Sequence, residues 1–219
     1  MPPKPKFSRA EVLKAALKIV RADGEASLTA RRLGEELGAS SRPIFTLFSS
    51  MEELKDALVP VCADFFTEYC KGFDDYEPAF KRIGLSTVSF AEEEPKLFAF
   101  MFMSSHAQQL NVDEWCRSET GDQGIEIIVR DYGLSKDVAT ILFREMWLHT
   151  FGLCVLKVTG AASITNQQVS DSLSRAFLGL LSLAKVGMLE QQGIRPVLGK
   201  MEGNASVSNP PTATLEGIR

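Results

Sequence analysis

The chain of 219 residues has little of what several classes of protein require. Its four cysteines are widely spaced and include no CxxC pair, so the sequence predicts free buried thiols and no disulfide framework. No run approaches the ~18 uncharged apolar residues of a membrane helix, and the first residues lack the apolar core of a signal peptide. These absences predict a cytoplasmic protein with no membrane partner.

Signatures of catalysis and of metal binding are missing as well. The sequence contains no HExxH, GxSxG or P-loop lysine motif, and no GxGxxG after a strand. Neither of its two histidines, His106 and His149, has a second histidine or a cysteine at the spacing of a metal site. We therefore expect no enzyme activity, no metal and no cofactor.

The sequence does have an uneven distribution of charge. Residues 1–50 hold nine lysines and arginines against five acidic residues, which is a net charge of +4. Because the whole chain has a net charge of −4, the remainder carries −8. A cationic segment on an anionic body is typical of a module that faces a polyanion, although charge alone leaves the polyanion open.

Nearly every apolar segment repeats with the period of an α-helix. Capping boxes are expected to begin helices at Ser8, Ser50 and Thr165, and Ser135 can cap another helix. The sequence therefore predicts an all-α protein. Its domains are expected to be a DNA-binding unit over 1–50, a helical body over 51–192, and a disordered tail over 193–219, where the periodicity is lost.

The first 50 residues suggest a helix-turn-helix of three short helices. Thr29 can cap the second helix, which closes at Gly38. The third is expected to begin near Ser40 and to run through Phe48, with Pro43 in its first turn. One side of this third helix is apolar, and the other is polar and partly cationic, as insertion into a DNA major groove requires.

Residues 8–58 resemble the N-terminal domain of the TetR, or tetracycline-repressor-like, family of bacterial transcription regulators, above all in LTARRLGEELGASSRPIFTLFSSMEELKDAL. The later segment MWLHTFGLCVLKVTG, with the capped apolar helix after it, resembles the paired C-terminal helices through which that family dimerises. The resemblance implies a homodimer that binds a DNA operator and is released by a small, largely apolar effector. It favours repression over activation.

The candidate DNA contacts combine cations with hydroxyl-bearing and aromatic side chains. We expect phosphate contacts to outnumber base contacts, as they do in most protein–DNA interfaces. Two lysines in the proline-stiffened first residues can reach the DNA backbone or the minor groove. The set is Lys4, Lys6, Thr29, Arg31, Ser40, Ser41, Arg42, Phe45 and Thr46.

Two more sets of candidate residues lie in the helical body. Large apolar side chains of the middle helices suit an effector pocket, which the family keeps there, and core packing is the alternative for each. The pocket set is Phe66, Phe90, Phe102, Met103, His106, Trp147 and Phe151. The last two helices carry a wide apolar stripe with small residues, which predicts a two-fold dimer interface. The interface set is Gly152, Val169, Leu173, Ala176, Phe177, Leu180, Leu181 and Ala184.

Other interpretations stay open. The family usually has a tyrosine where this chain has Phe45 and a lysine where it has Met51, and both contact phosphate. The alternative is a helical small-molecule-binding protein of the same fold with weak or no DNA binding, and a helical enzyme is a more distant option. In a regulator, the helix that begins after Ser50 is expected to couple the pocket to the DNA-binding unit, with Pro60 as a fixed bend.

Overall fold

The structure is a computed structural model of the chain, and it describes residues 6–106, 116 and 119–190. Eight α-helices and two short 3-10 turns lie within these residues, which include no strand. The α-helices are α1 (Arg9–Asp23), α2 (Ala30–Glu36), α3 (Met51–Lys71), α4 (Ala79–Glu93), α5 (Pro95–Met103), α6 (Glu119–Tyr132), α7 (Lys136–Thr159) and α8 (Asn166–Lys185). The all-α prediction is confirmed for this part of the chain. The predicted tail, 193–219, lies outside the described residues.

The helices begin where local hydrogen bonds satisfy their first N–H groups. The Ser8 hydroxyl accepts a bond from the N–H of Glu11, and the Glu11 carboxylate accepts one from the N–H of Ser8 at 2.8 Å. Thr165 and Gln168 form the same reciprocal pair at the start of α8. Because such bonds depend on residues three apart, these helix starts could be predicted from spacing alone.

The start of α3 differs in one detail from the expected capping box. The Ser50 hydroxyl accepts from the N–H of Glu53, as expected. However, the Glu53 carboxylate accepts from the N–H and the hydroxyl of Ser49, both at 2.7 Å, and not from Ser50. It also pairs with Arg9 at 3.1 Å, and these bonds lower the pKa of Glu53. This corner therefore ties α3 to the start of α1.

The expected third helix is absent, and its prediction was wrong. Ile44–Thr46 form a single 3-10 turn between other turns. Pro43 has no N–H to donate, and the Thr46 hydroxyl donates to the Pro43 carbonyl at 2.6 Å. So short a segment, with a β-branched residue on each side of Phe45, gains too little from helical bonding to form a regular α-helix.

The helical body is built around α7, which packs against α4, α6 and α8. The first unit is attached to this body because α1 packs against α3 and α5. By length and composition alone α7 could cross a membrane, which the sequence analysis did not foresee, and 44% of its most apolar window is buried inside the bundle. A core helix of a globular protein passes the same test.

Candidate functional site

The candidate DNA-binding unit is held together by buried apolar side chains, which belong to the same hydrophobic core as those of the body. Val12 of α1, Leu33 of α2, and Ile44 and Phe48 of the 3-10 segment are all at most 1% exposed. Burial of one apolar side leaves the other side of each element in solvent. The unit can therefore present a polar surface while its apolar side chains hold it together.

Gly34 allows α2 and the turn after it to approach closely. A Cβ at this position would lie 2.9 Å from the carbonyl oxygen of Ala39, which is backbone and cannot easily move away. The N–H of Ala39 donates to the Gly34 carbonyl at 2.9 Å. Gly38 follows with φ of +62°, a left-handed conformation that glycine adopts without strain. These two glycines determine how the chain leaves α2 toward residues 40–46.

Arg9 fixes the other side of the unit. Its guanidinium donates to the Leu47 carbonyl at 2.6 Å and to Glu53 at 3.1 Å, and it lies 4.1 Å from the centroid of the Phe48 ring. These contacts join α1, the 3-10 segment and α3. Arg9 therefore has a structural role, because it positions the segment that precedes α3.

The structure brings five of the candidate DNA contacts together in one segment, 40–46. Ser40, Arg42, Phe45 and Thr46 are exposed, and Ser41 is half-buried. Arg42 forms no ion pair with any other described residue, so its guanidinium is available. Phe45 is 47% exposed, which is a large fraction for an aromatic side chain.

The other candidates in the first unit lie apart from this segment in the sequence. The Thr29 hydroxyl caps α2 by accepting from the N–H of Arg32 at 3.2 Å. Arg31 is 90% exposed and pairs with Glu35 across one helical turn, a contact that solvent weakens. Lys6 is exposed, and Lys4 lies outside the described residues.

A cavity of about 250 Å³ lies between α4, α7 and α8, with Tyr132 of α6 at its wall. It is lined by Pro78, Phe80, Lys81, Ile83, Gly84, Thr87, Tyr132, Phe143, Met146, Trp147, Thr150, Leu173, Ser174, Phe177 and Leu178. Of the residues predicted for an effector pocket, only Trp147 lines this cavity. Residues of four helices meet around this space, and the periodicity within one helix gives no sign of which residues of the other helices it will meet.

Four of the predicted pocket residues meet around a second, much smaller space. Phe66, Phe102, Trp147 and Phe151 contribute to a cavity of about 20 Å³. The rings of Phe66 and Phe102 lie 6.2 Å apart, edge to face. Such a space has room for about one water molecule, so this set is a packed aromatic cluster beside the larger cavity.

The remaining three predicted pocket residues line neither cavity. Phe90 is fully buried, and its ring lies 4.9 Å from that of Phe66, whereas Met103 is 45% exposed. The His106 side chain is 8% exposed and lies 3.0 Å from Asp56, with Glu25 and Glu52 also within ion-pair distance. His106 thus contacts the first unit and the start of α3.

The predicted dimer residues divide into an inner and an outer group. Val169, Leu173 and Leu181 are 2–8% exposed within one protomer, so they pack inside it. Ala176, Phe177, Leu180 and Ala184 are half-buried, and Gly152 is exposed. A Cβ at Gly152 or at Gly179 would meet nothing within 4 Å.

Large apolar side chains that the sequence did not single out lie on the outer surface of the last two helices. Leu148 is 45% exposed, Leu178 59% and Val186 67%. Leu148 and Gly152 are one helical turn apart on α7, and Leu178 adjoins Gly179 on α8. These residues form what we call the outer apolar face: Leu148, Gly152, Leu178, Gly179 and Val186.

A contact between α1 and the end of α4 links the first unit to the body. Arg21 donates two hydrogen bonds to the Glu94 carboxylate, and its guanidinium lies 4.4 Å from the centroid of the Phe65 ring. Hydrogen bonding to Glu94 raises the pKa of Arg21. Lys96 donates to the carbonyl of Ala22 at the end of α1. The helix that contributes most residues to the cavity, α4, thus ends against the first unit.

No family model matches the chain, and no curated protein matches it. Among solved structures it is similar to a TetR variant from Acinetobacter baumannii AYE in complex with minocycline. The two are 18% identical with a TM-score of 0.54, over 83% of this chain and 98% of that one. Apo ActR from Streptomyces coelicolor is 16% identical with a TM-score of 0.49, over 84% of this chain and 99% of that one. The chain therefore has the fold of TetR, as the resemblance in its first 58 residues implied.

Proposed function

We propose that the protein is a cytoplasmic, ligand-responsive transcription regulator that binds a DNA operator as a homodimer, most simply as a repressor. Residues 1–50 would bind DNA, and 51–192 would bind the effector and dimerise. The observation that carries this proposal is the exposed segment 40–46, with its available Arg42, on a compact unit of net charge +4. The TetR fold and the apolar cavity in the body support it.

The chemistry of segment 40–46 suits a nucleic-acid surface. The Arg42 guanidinium can donate two parallel hydrogen bonds to a phosphate or to a guanine edge. The serine and threonine hydroxyls beside it can donate to phosphate oxygens. Phe45 cannot make the phosphate bond of a tyrosine, but its exposed ring can contact the methyl group of a thymine.

A second copy of the chain is the proposed partner of the outer apolar face. Leucines and a valine exposed next to two glycines are typical of helices that pack closely against other helices. Pairing of α7 and α8 with the same helices of a second protomer would make a four-helix interface with two-fold symmetry. Two DNA-binding units related in this way suit an operator with two half-sites.

We propose that α4 transmits the effect of the ligand. It lines the larger cavity with Phe80, Gly84 and Thr87, and the chain after it holds Arg21 through Glu94. α3, in contrast, contributes only Phe66, and only to the smaller cavity. A ligand would shift the DNA-binding units only to the extent that it binds the two arrangements with different affinity.

One observation favours a second candidate, a ligand-binding protein of this fold with weak or no DNA binding. Where DNA recognition needs a helix, the chain has a single 3-10 turn, Ile44–Thr46. Such a turn presents fewer side chains to a groove than an α-helix of two turns does.

An electrophoretic shift with the DNA that flanks the gene of this protein separates the two candidates. At low salt and without ligand, the regulator shifts this DNA, and Arg42→Ala lowers its affinity about ten-fold, the loss expected for a charge-assisted contact. Lys136→Ala is the matched control, since Lys136 is an exposed cation at the start of α7, and it should leave the affinity unchanged. Absence of any shift would favour the second candidate.

A further inference from the structure

The larger cavity has one charged side chain in its wall. Of the fifteen described residues that line it, Lys81 alone carries a charge, and eleven of the others are hydrocarbon, aromatic, thioether or glycine. None of these fifteen residues carries a carboxylate. Within the described part of the chain, the cavity therefore combines an apolar interior with a single cation.

The Lys81 ammonium makes no ion pair or hydrogen bond with any other described residue. Other half-buried lysines of the chain are paired: Lys157 lies 2.8 Å from Glu92, and Lys55 lies 3.1 Å from Glu25. The Lys81 side chain is half-buried, so water can supply an acceptor on its exposed side. An anionic group on a ligand in the cavity could replace that water and add a charge-assisted hydrogen bond.

Two hydroxyl groups of the same wall are also available. Thr87 and Thr150 donate to carbonyls of their own helices, at 2.7 Å and 2.8 Å, and are thereby occupied. The hydroxyls of Tyr132 and Ser174, by comparison, form no hydrogen bond with another described residue. Burial raises the pKa of Tyr132, so this hydroxyl keeps its proton and can donate. The wall thus offers an ammonium and two hydroxyl donors to a ligand.

The apolar part of the wall is mainly aromatic. The rings of Phe80 and Phe177 lie 5.1 Å apart, and those of Tyr132 and Phe177 lie 4.8 Å apart. Phe143 and Trp147 complete the set. The planes of these two pairs are inclined by 37° and 61°, so the rings offer both faces and edges, against which another ring can pack. A volume of about 250 Å³ lies just below the ~300 Å³ at which typical ligand pockets begin, so it fits one or two fused rings.

We infer that the effector is a small aromatic acid, whose anionic group binds Lys81 while its rings lie among the aromatic side chains of the cavity. This inference rests on the proposed effector site in the body. A neutral ring compound could offer the ammonium an uncharged acceptor but no opposite charge, and an aromatic cation would be repelled by it. Lys81 therefore determines the charge of the ligand, and the rings determine its shape.

Three probes of nearly equal size test the charge preference: naphthoate, naphthamide and the naphthylmethylammonium ion. Calorimetric titration of the full chain without DNA gives their affinities. Naphthoate should bind at least ten-fold more tightly than naphthamide, as expected for a charge-assisted hydrogen bond, and the ammonium ion should bind most weakly. Equal or tighter binding of naphthamide or of the cation would overturn the inference, as would absence of naphthoate binding.

Variants of Lys81 test whether this residue causes the preference. Lys81→Met keeps an apolar stem and should weaken naphthoate about ten-fold while changing naphthamide less than about two-fold. Lys81→Arg should restore binding of naphthoate, and the matched control Lys136→Met should change neither probe. Unchanged naphthoate affinity in Lys81→Met would refute the role of Lys81, provided that circular dichroism shows a native helix content.

These titrations contain no DNA, so their failure is distinct from failure of the proposed function. If the protein shifts the DNA that flanks its gene but does not bind naphthoate more tightly than naphthamide, it remains a regulator with a different effector. A protein that prefers naphthoate through Lys81 but shifts no DNA is an aromatic-acid-binding protein with this fold.

Discussion

Alanine at Gly152 and Gly179 should strengthen the protomer and weaken the dimer. Both glycines lie inside helices, and a Cβ at either would meet nothing within 4 Å in one protomer. Alanine is favoured over glycine in a helix interior by about 1 kcal/mol, so the double variant of an isolated protomer should gain about 2 kcal/mol. The helical propensity is the same in the folded protomer and in the dimer, so it cancels from the dimerisation equilibrium.

The cost appears only where the partner helix fills the space beside each glycine. Overpacking costs at least about 1 kcal/mol per site, and a two-fold dimer of the double variant contains four such sites. Dimerisation should therefore weaken by about 4 kcal/mol, or about a thousand-fold. The two effects have opposite signs, which makes the experiment sensitive to the location of the interface.

Sedimentation velocity over a range of concentrations measures dimerisation, and denaturant unfolding of the monomeric variant measures the stability of the protomer. Gln123→Ala, an exposed substitution on α6, is the control and should leave the dimer intact. If the double variant dimerises as tightly as the original chain, neither glycine lies at a close interface and the outer apolar face is not the dimer contact.

Three further predictions follow from individual contacts. Gly34→Ala should lower the free energy of unfolding by about 1–2 kcal/mol, because the close contact of the new Cβ with the Ala39 carbonyl oxygen outweighs the gain of about 1 kcal/mol in helical propensity. A higher melting temperature of this variant would contradict the prediction. Burial raises the pKa values of Cys62 and Cys154 to about 12, so iodoacetamide should label these two cysteines only after unfolding. Peptide mapping locates the label, and rapid labelling of Cys62 or Cys154 in the native chain would disprove their burial. A double-mutant cycle of Arg21→Gln and Glu94→Gln, measured by thermal unfolding, should give a coupling free energy of about 0.5–1 kcal/mol. The value is modest because the Arg21 side chain is 41% exposed. A coupling free energy of zero would show that this ion pair does not link α4 to α1.

The sequence predicted those parts of the fold that depend on neighbouring residues. The hydroxyls of Ser8, Ser50, Ser135 and Thr165 all accept bonds from N–H groups three residues later, as their spacing indicated. The fold of the described residues was also predicted, because the sequence of residues 8–58 resembles the N-terminal domain of the TetR family.

The wrong prediction of a third helix has a different cause. A helix was expected over 40–48 from its apolar spacing. However, Pro43 has no N–H to donate, and the Thr46 hydroxyl donates to the Pro43 carbonyl, so these backbone groups are satisfied in a tighter turn. Local hydrogen bonds of this kind compete with the backbone hydrogen bonds of an α-helix, and the apolar periodicity of the sequence does not show which of the two will form.

The cavity could not be located from the sequence, because it depends on which faces of distant helices meet. Phe66 and Phe102 lie on helices of the body, yet their rings fill the space between those helices. The larger cavity is lined by residues of α4, α6, α7 and α8. Periodicity within one helix carries no information about which residues of separate helices meet, so only the packed structure shows the space.

Salt dependence of DNA binding tests the central claim most directly. A dimer that presents two cationic units to DNA should bind the DNA flanking its gene at about 50 mM salt and lose at least about ten-fold in affinity by about 200 mM. Fluorescence anisotropy of a labelled duplex measures both affinities without a gel. Absence of binding at the lower salt concentration, or an affinity that does not change with salt, would contradict a role in binding DNA.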